Sequence, residues 1–220
     1  MKTQVTRILL ALALLATGCA RQGLRSGDLL FVALPLDYEA DTASMSSGIT
    51  AATGGGEALN YIHTAIIEVA DGSTWIIDAT IKHGVDRYPL DTFLTDFTLK
   101  DGSYPVFEVL RLKDGKDAQR YLSKAKTFIG EPYDVYFLPD NGAMYCTELV
   151  YESYLNPDGS HVFGTVPMNF KAPDGTMPPY WEKLFGALGV PIPQGVSGTN
   201  PQDMHASPLL KKTGISITDR

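Results

Sequence analysis

The sequence predicts an α+β fold in which a small antiparallel sheet or open barrel packs against helices, with a cysteine at one helix N-terminus. Two strand-like runs are joined by Asp71-Gly72, which is a typical hairpin signal. Residues 114–129 instead carry apolar side chains at a spacing of three and four, which indicates an amphipathic helix that ends at Gly130. The length of 220 residues favours one domain with one core.

Five segments have the composition of strands. The first follows a turn at Gly27-Asp28 and is apolar throughout, as expected for a buried strand. The last alternates Val106, Glu108 and Leu110 with the residues between them. In chain order the predicted strands are 29–34, 63–70, 74–80, 84–90 and 104–112.

Five further segments are predicted to be helical. The fourth begins after the Asn141-Gly142 turn and places Cys146, Leu149 and Val150 on one stripe, so that Cys146 lies in its first turn. Beyond the last helix, residues 191–220 have little periodicity and are expected to form an extended C-terminal tail. In chain order the predicted helices are 46–53, 91–97, 114–129, 143–155 and 179–188.

The N-terminus has the pattern of a bacterial export signal. Lys2 and Arg7 precede an apolar run at 8–15 that is too short to span a bilayer as a mature helix. The following segment 15–19 resembles a lipobox, in which Cys19 is lipidated and becomes the mature N-terminus; a plain signal peptide cut nearby is the alternative. We therefore expect a signal peptide at 1–18, an anchor linker at 19–25, and an exported, membrane-anchored lipoprotein of the periplasm or outer cell envelope.

Net charge excludes one class of partner. The whole chain carries −7, and because 1–18 holds two of the cations and no acid, the remainder is near −9. The basic footprint of a nucleic-acid-binding protein is therefore absent, and no nucleic acid partner is expected. Phosphate-rich surfaces are also poor partners for this net field.

Cysteine usage singles out Cys146. If Cys19 is lipidated, Cys146 is the one remaining thiol of an exported chain, where cysteines are usually paired or absent. At a helix start, the unpaired backbone N–H groups and the helix dipole favour a thiolate, and the N–H of Cys146 can serve an oxyanion hole. The alternative is a buried cysteine that acts as a small apolar side chain.

A thiolate nucleophile needs a histidine and an acceptor that orients it. Three of the four histidines are expected at the surface, and His63 alone opens a predicted strand. A two-residue loop pairs Ala70 with Ser73, which places His63 and Asp78 on one sheet face as diagonal neighbours within reach of each other. The alternative for Asp78 is a carboxylate at a strand end near solvent.

With these residues in this order, the chain resembles a known family, the circularly permuted papain-like hydrolases, in the YiiX-like branch of the NlpC-type superfamily. The resemblance covers about 26–155, and its most specific parts are Gly-Glu-Pro-Tyr-Asp at 130–134 and Tyr-Cys-Thr-Glu-Leu-Val at 145–150. The other matching segments, in the order of the family, are 27–31, 47–53, 63–66 and 76–79.

The resemblance implies a permuted papain-like hydrolase domain at 26–190, in which the histidine precedes the cysteine. It implies Cys146 as nucleophile, His63 as base and a third polar residue at Asp78, where the family usually has Glu. Tyr145 and Asp28 are the candidates for an oxyanion donor or a pocket wall.

Three functions follow as hypotheses. The first is an amidase or peptidase that cleaves cell-envelope amide bonds through a Cys-His-Asp triad. The second is lipid acyl transfer or ester hydrolysis with the same thiol. The third is a non-catalytic envelope-binding lipoprotein, which the Asp in place of Glu supports.

No cofactor or metal is expected, because the sequence lacks a His-Glu-x-x-His run and paired cysteines. The glycines at 54–56 also lack the Lys and Ser/Thr of a phosphate loop. The expected partners are a peptide, amide or lipid of the envelope, and the membrane through Cys19.

Overall fold

Six strands form one antiparallel sheet in a computed structural model that describes residues 23–35, 38, 44–53 and 59–218. The predicted signal peptide at 1–18 and the predicted lipidation site at Cys19 lie outside the described residues. The strands are β1 (Leu29–Pro35), β2 (Leu59–Ala70), β3 (Ser73–Thr80), β4 (Gly84–Pro89), β5 (Val106–Leu112) and, after the short pair β6 (Val166–Pro167) and β7 (Ser197–Gly198), β8 (Leu210–Lys212).

The strand order is β4-β3-β2-β1-β5-β8, and every neighbouring pair is antiparallel. One of the two central strands, β1, is apolar along its length because both of its faces are covered. The predicted α+β class with an antiparallel sheet is therefore confirmed.

Six helices connect or cover the strands within the described residues. They are α1 (Met45–Thr53), α2 (Leu90–Asp96), α3 (Ala118–Lys126), α4 (Cys146–Ser153), α5 (Pro179–Leu188) and α6 (Pro201–His205). Side chains of α3 and α4 cover one sheet face together with Leu29 and Phe31, whereas Phe93 and Leu94 of α2 cover the other with Leu30 and Val32. No helix in this part of the chain has the length and apolar character needed to cross a bilayer.

A third apolar cluster lies beside the sheet, between α1, α5 and the loop before α4. Phe137, Phe170 and Trp181 pack edge to face in it, and the Trp181 ring N–H donates to the carbonyl of Gly48 at 3.1 Å. This cluster forms one side of the cavity described below.

The C-terminal segment differs from the predicted tail. Instead of remaining extended over 191–220, it forms β7, α6 and β8, and β8 pairs with β5 as the edge strand of the main sheet. Ile217 is also buried against the second sheet face. A three-residue strand is too short to show a period in the sequence, so its pairing with a distant strand decides its structure.

Candidate active site

Cys146 is the first residue of α4. Its predecessor Tyr145 has an extended backbone, with φ −94° and ψ 168°, and Glu148 accepts a hydrogen bond from the Tyr145 N–H at 3.3 Å. The helix was predicted to begin at 143, but this cap begins it at Cys146. The Cys146 N–H consequently has no acceptor within the helix and remains available to a ligand oxygen.

His63 and Asp78 meet because the predicted hairpin register is correct. The pairs from Ala70–Ser73 to Ile66–Ile77 follow the two-residue loop as expected. His63 Nε2 lies 2.8 Å from Asp78 Oδ2, and the Asp78 side chain is fully buried. Helix α4 packs against β2 and β3, and its first residue, Cys146, lies beside His63.

The third contact links the imidazole to the thiol. Cys146 lies beside His63, and since Nε2 is engaged by Asp78, Nδ1 is the ring nitrogen left for sulfur. Burial lowers the pKa of His63, but the adjacent Cys146 and the hydrogen bond that the imidazole makes with Asp78 outweigh burial and raise the pKa. The structure therefore brings the thiol, the imidazole and the carboxylate into one line, in which His63 lies between Cys146 and Asp78.

Tyr88 extends this line and was not anticipated from the sequence. Its hydroxyl donates to Asp78 Oδ1 at 2.6 Å, so that both oxygens of the buried carboxylate have partners. Asp78 pairs with Asp86 across β3 and β4, which places Tyr88, two residues farther, on the same sheet face. The diagonal rule used for His63 could have found it.

Aromatic side chains screen the imidazole from solvent. The ring of Phe97 lies 4.8 Å from that of His63, and the ring of Phe93 lies 6.1 Å away. His63 is 7% exposed and Cys146 is 4% exposed. Charges within such a site interact more strongly than they would in water.

A cavity of about 230 Å³ opens beside Cys146. The Pro- and Gly-rich stretch after 156 supplies many of its walls, although nothing in that stretch indicates a binding role from composition alone. The apolar wall comprises Ile49, Ala52, Tyr133, Phe137, Val166, Pro167, Met168, Phe170, Trp181 and Pro201, and the polar side comprises Thr53, Thr147, Asn169, Thr199, Asn200 and Asp203.

Tyr145 lies in the wall of this cavity. Its hydroxyl accepts a hydrogen bond from the Thr199 N–H at 3.0 Å, so the C-terminal segment holds the ring in place. Of the two predicted roles, this position corresponds to a pocket wall.

Asp28 is not part of the site. It lines a different cavity, where its carboxylate binds Arg111 Nε at 2.5 Å and Nη2 at 2.7 Å and accepts the Arg25 N–H at 2.8 Å. Asp28 therefore does not line the cavity beside Cys146, where it was expected as an oxyanion or pocket residue, and its carboxylate is instead engaged by the charged donors of Arg111.

The other histidines lie elsewhere, and one of them contradicts the expectation of a surface position. His205 is largely buried, lies 2.7 Å from a Glu108 oxygen and stacks on Tyr61 with 3.7 Å between ring centroids. Within the described residues, His, Cys, Asp and Glu form no cluster of three suited to a metal ion.

Comparison with known proteins agrees with this architecture. A family model described as "Permuted papain-like amidase enzyme, YaeF/YiiX, C92 family" matches residues 24–214. The Escherichia coli K12 protein named "Uncharacterized protein YiiX" is 26% identical over 187 residues, which is 84% of each chain.

A crystal structure titled as the metalloprotein yiiX from Escherichia coli O157:H7 superposes with a TM-score of 0.66 at 24% identity, over 87% of this chain and 97% of that chain. This likeness shows the fold. Together with the family match, which spans most of the chain and includes the segment beyond 190, it confirms the resemblance to permuted papain-like hydrolases. The chain belongs to the C92 family of permuted papain-like amidases, enzymes of the cysteine hydrolase type.

Proposed function

We propose that the protein hydrolyses amide bonds of cell-envelope material, with Cys146 as nucleophile, His63 as general base and Asp78 as the group that orients the imidazole. The observation that carries the proposal is the line from Cys146 through His63 to Asp78, in which His63 lies beside the thiol and its Nε2 is 2.8 Å from the Asp78 carboxylate. The line begins at a helix N-terminus and borders a cavity.

The reaction follows from these positions. His63 holds the thiol proton, and the Cys146 thiolate forms a C–S bond to the substrate carbonyl carbon. The C–N bond then breaks, and His63 gives its proton to the leaving amine. Water, deprotonated by His63, attacks the thioester and releases the acid and the thiol.

The N-terminal end of α4 stabilises the negative charge that develops when the tetrahedral intermediate forms. In the tetrahedral intermediate the carbonyl oxygen becomes an oxyanion, and the Cys146 N–H is the donor best placed for it. The N-terminal end of the helix dipole also favours negative charge on sulfur and oxygen at this point.

The envelope as the source of substrate rests on the N-terminal pattern. The segment 15–19 supports lipidation at Cys19, and a protein anchored in this way meets peptides, amides and lipids of the envelope.

Ester hydrolysis or acyl transfer from a lipid is the second candidate. The mostly apolar wall of the cavity, which includes Phe137, Phe170 and Trp181, favours an acyl or aromatic group on the carbonyl side of the scissile bond. The same thiolate would cleave an ester, because the two reactions share the acyl-enzyme intermediate.

Trapping that intermediate tests both candidates. The purified protein is incubated with matched amide and ester libraries, and the mass of the Cys146 peptide is followed with time. Acylation by amides with release of amine supports the proposal, and acylation by esters alone favours the second candidate. No acylation by either library, with no alkylation of Cys146 by iodoacetamide at neutral pH, would indicate a non-catalytic binding module.

Tyr88→Phe tests the hydrogen bond by which Tyr88 supports Asp78. It removes one hydroxyl and leaves Asp78 Oδ1 without that donor. Because an unsatisfied buried acceptor costs about 1–3 kcal/mol, we expect kcat/KM to fall by about tenfold, mainly through kcat.

A matched control is Tyr154→Phe, since the buried Tyr154 hydroxyl also makes one hydrogen bond, to the Gly27 carbonyl at 3.1 Å. We expect it to lower the free energy of unfolding by a similar amount and to leave kcat/KM within about a factor of two. Equal kinetic losses in both variants would show that Tyr88 serves stability alone.

A further inference from the structure

A cluster of cations surrounds a second surface cavity of about 300 Å³, on the side of the sheet where β5 pairs with β8. Among the described residues that line it, five are cationic and two are acidic, although the whole chain carries −7. The cations are Arg25, Arg111, Lys113, Lys116 and Lys211, and the acids are Asp28 and Asp114. We call these seven residues the basic face.

Most of this positive charge is not neutralised within the protein. Arg111 is paired with Asp28, and Lys116 lies 3.6 Å from Asp114. Arg25 and Lys211 are exposed and have no acidic partner among the described residues.

Two further contacts show that Lys113 and Lys211 leave positive charge on the basic face. The Lys113 ammonium donates to the Pro208 carbonyl, which leaves its charge uncompensated. Lys211 is directly opposed to Arg111 across β5 and β8, and the Asp28 carboxylate at this pair is bound by Arg111, so the charge of Lys211 adds to the positive charge of the basic face.

The chain enters the described fold at this face. Arg111 Nη2 donates to the Gly23 carbonyl at 2.9 Å, so Gly23 is held against the basic face. Cys19 precedes Gly23 by four residues, which span at most about 14 Å when fully extended. A lipid on Cys19 would therefore hold the membrane surface within about that distance of the cluster.

We propose that the basic face binds the anionic phospholipid headgroups of the membrane that holds the Cys19 lipid. This proposal rests on the proposed lipidation for its geometry, and it accounts for a local excess of cations in an acidic chain. Each cation near an anionic bilayer strengthens binding by about fivefold. The contact would fix which side of the domain faces the bilayer.

The test uses the chain from residue 19 with Cys19→Ser, so that no lipid contributes. Binding is measured by co-sedimentation with vesicles of phosphatidylethanolamine and phosphatidylglycerol, and with vesicles of phosphatidylcholine alone. We expect binding to the anionic vesicles that is lost at high salt. The triple variant R25Q/K116Q/K211Q should weaken it by about tenfold or more.

The matched control is K100Q/K171Q/K183Q, which changes net charge equally at three exposed lysines that do not line this cavity. Equal losses in both triple variants, equal binding to phosphatidylcholine, or no binding to anionic vesicles would overturn the proposal. Near-ultraviolet circular dichroism shows whether each variant is folded.

Amide hydrolysis and lipidation at Cys19 are tested by separate measurements. Hydrolysis of a soluble substrate reports on Cys146, and incorporation of labelled fatty acid, lost in Cys19→Ala of the full chain, reports on lipidation. If the chain with an unaltered basic face hydrolysed the soluble substrate but failed to bind anionic vesicles, the basic-face proposal alone would be removed.

Discussion

Replacing Cys146 with alanine is expected to lower kcat for amide hydrolysis by about 10⁴-fold or more, because the C–S bond to the substrate can no longer form. The residual rate would come from substrate binding and from the backbone N–H at the start of α4. The measurement is steady-state turnover of the best amide found in the library, with the acyl-enzyme followed by mass.

The chain offers a matched control because it contains two cysteines. Cys19→Ser removes the other thiol outside the described fold and should leave turnover of a soluble substrate within about a factor of two. A Cys146→Ala protein that turns over substrate at the rate of the unaltered chain would exclude Cys146 as nucleophile.

Replacing Asp78 with asparagine should have the second largest effect, a loss of about 10³-fold in kcat. The carboxylate accepts from His63 Nε2 at 2.8 Å and so fixes the tautomer that leaves Nδ1 free for sulfur. An asparagine amide can present N–H to the ring instead, which favours the opposite tautomer. It also removes the charge that stabilises the imidazolium.

The same substitution should move the alkaline limb of the pH–rate profile. The working pair is a thiolate and an imidazolium, so the rate falls at high pH as His63 loses its proton. Burial lowers the His63 pKa, whereas Cys146 and Asp78 raise it and prevail. Without the Asp78 carboxylate the His63 pKa falls, so the limb in kcat/KM should shift to lower pH.

Asp96→Asn is the control for this substitution, since Asp96 binds His83 at 2.7 Å in a pair outside the line from Cys146 through His63 to Asp78. It should leave kcat within about a factor of two and the alkaline limb in place. If Asp96→Asn moved the limb as far as Asp78→Asn, the shift would report a general change of charge rather than the His63–Asp78 contact.

Local chemistry explains why much of this site could be predicted. The Asp71-Gly72 turn sets the register of β2 and β3, and register alone brings His63 and Asp78 to one sheet face. The position of Cys146 near a helix start also follows from neighbouring residues. Such features depend on residues close together in the chain, where periodicity and turn chemistry act directly.

Other parts of the site depend on pairings between distant residues. Thr199 reaches Tyr145 across 54 positions, and Arg111 takes the Asp28 carboxylate across 83. Within the predicted tail, β8 forms by pairing with the edge of β5, and β7 forms by pairing with β6. No periodic pattern in the sequence reports contacts of this kind.

The sequence by itself determined the α+β class, the hairpin register and the residues that could perform thiol chemistry, since each follows from local pattern. Tertiary structure decided which of these residues meet, that Asp28 pairs with Arg111 and that Tyr88 supports Asp78. It also gathered five cations on one face of an acidic chain. Net charge is a sum over the sequence, whereas an electrostatic surface depends on the positions of charges in space.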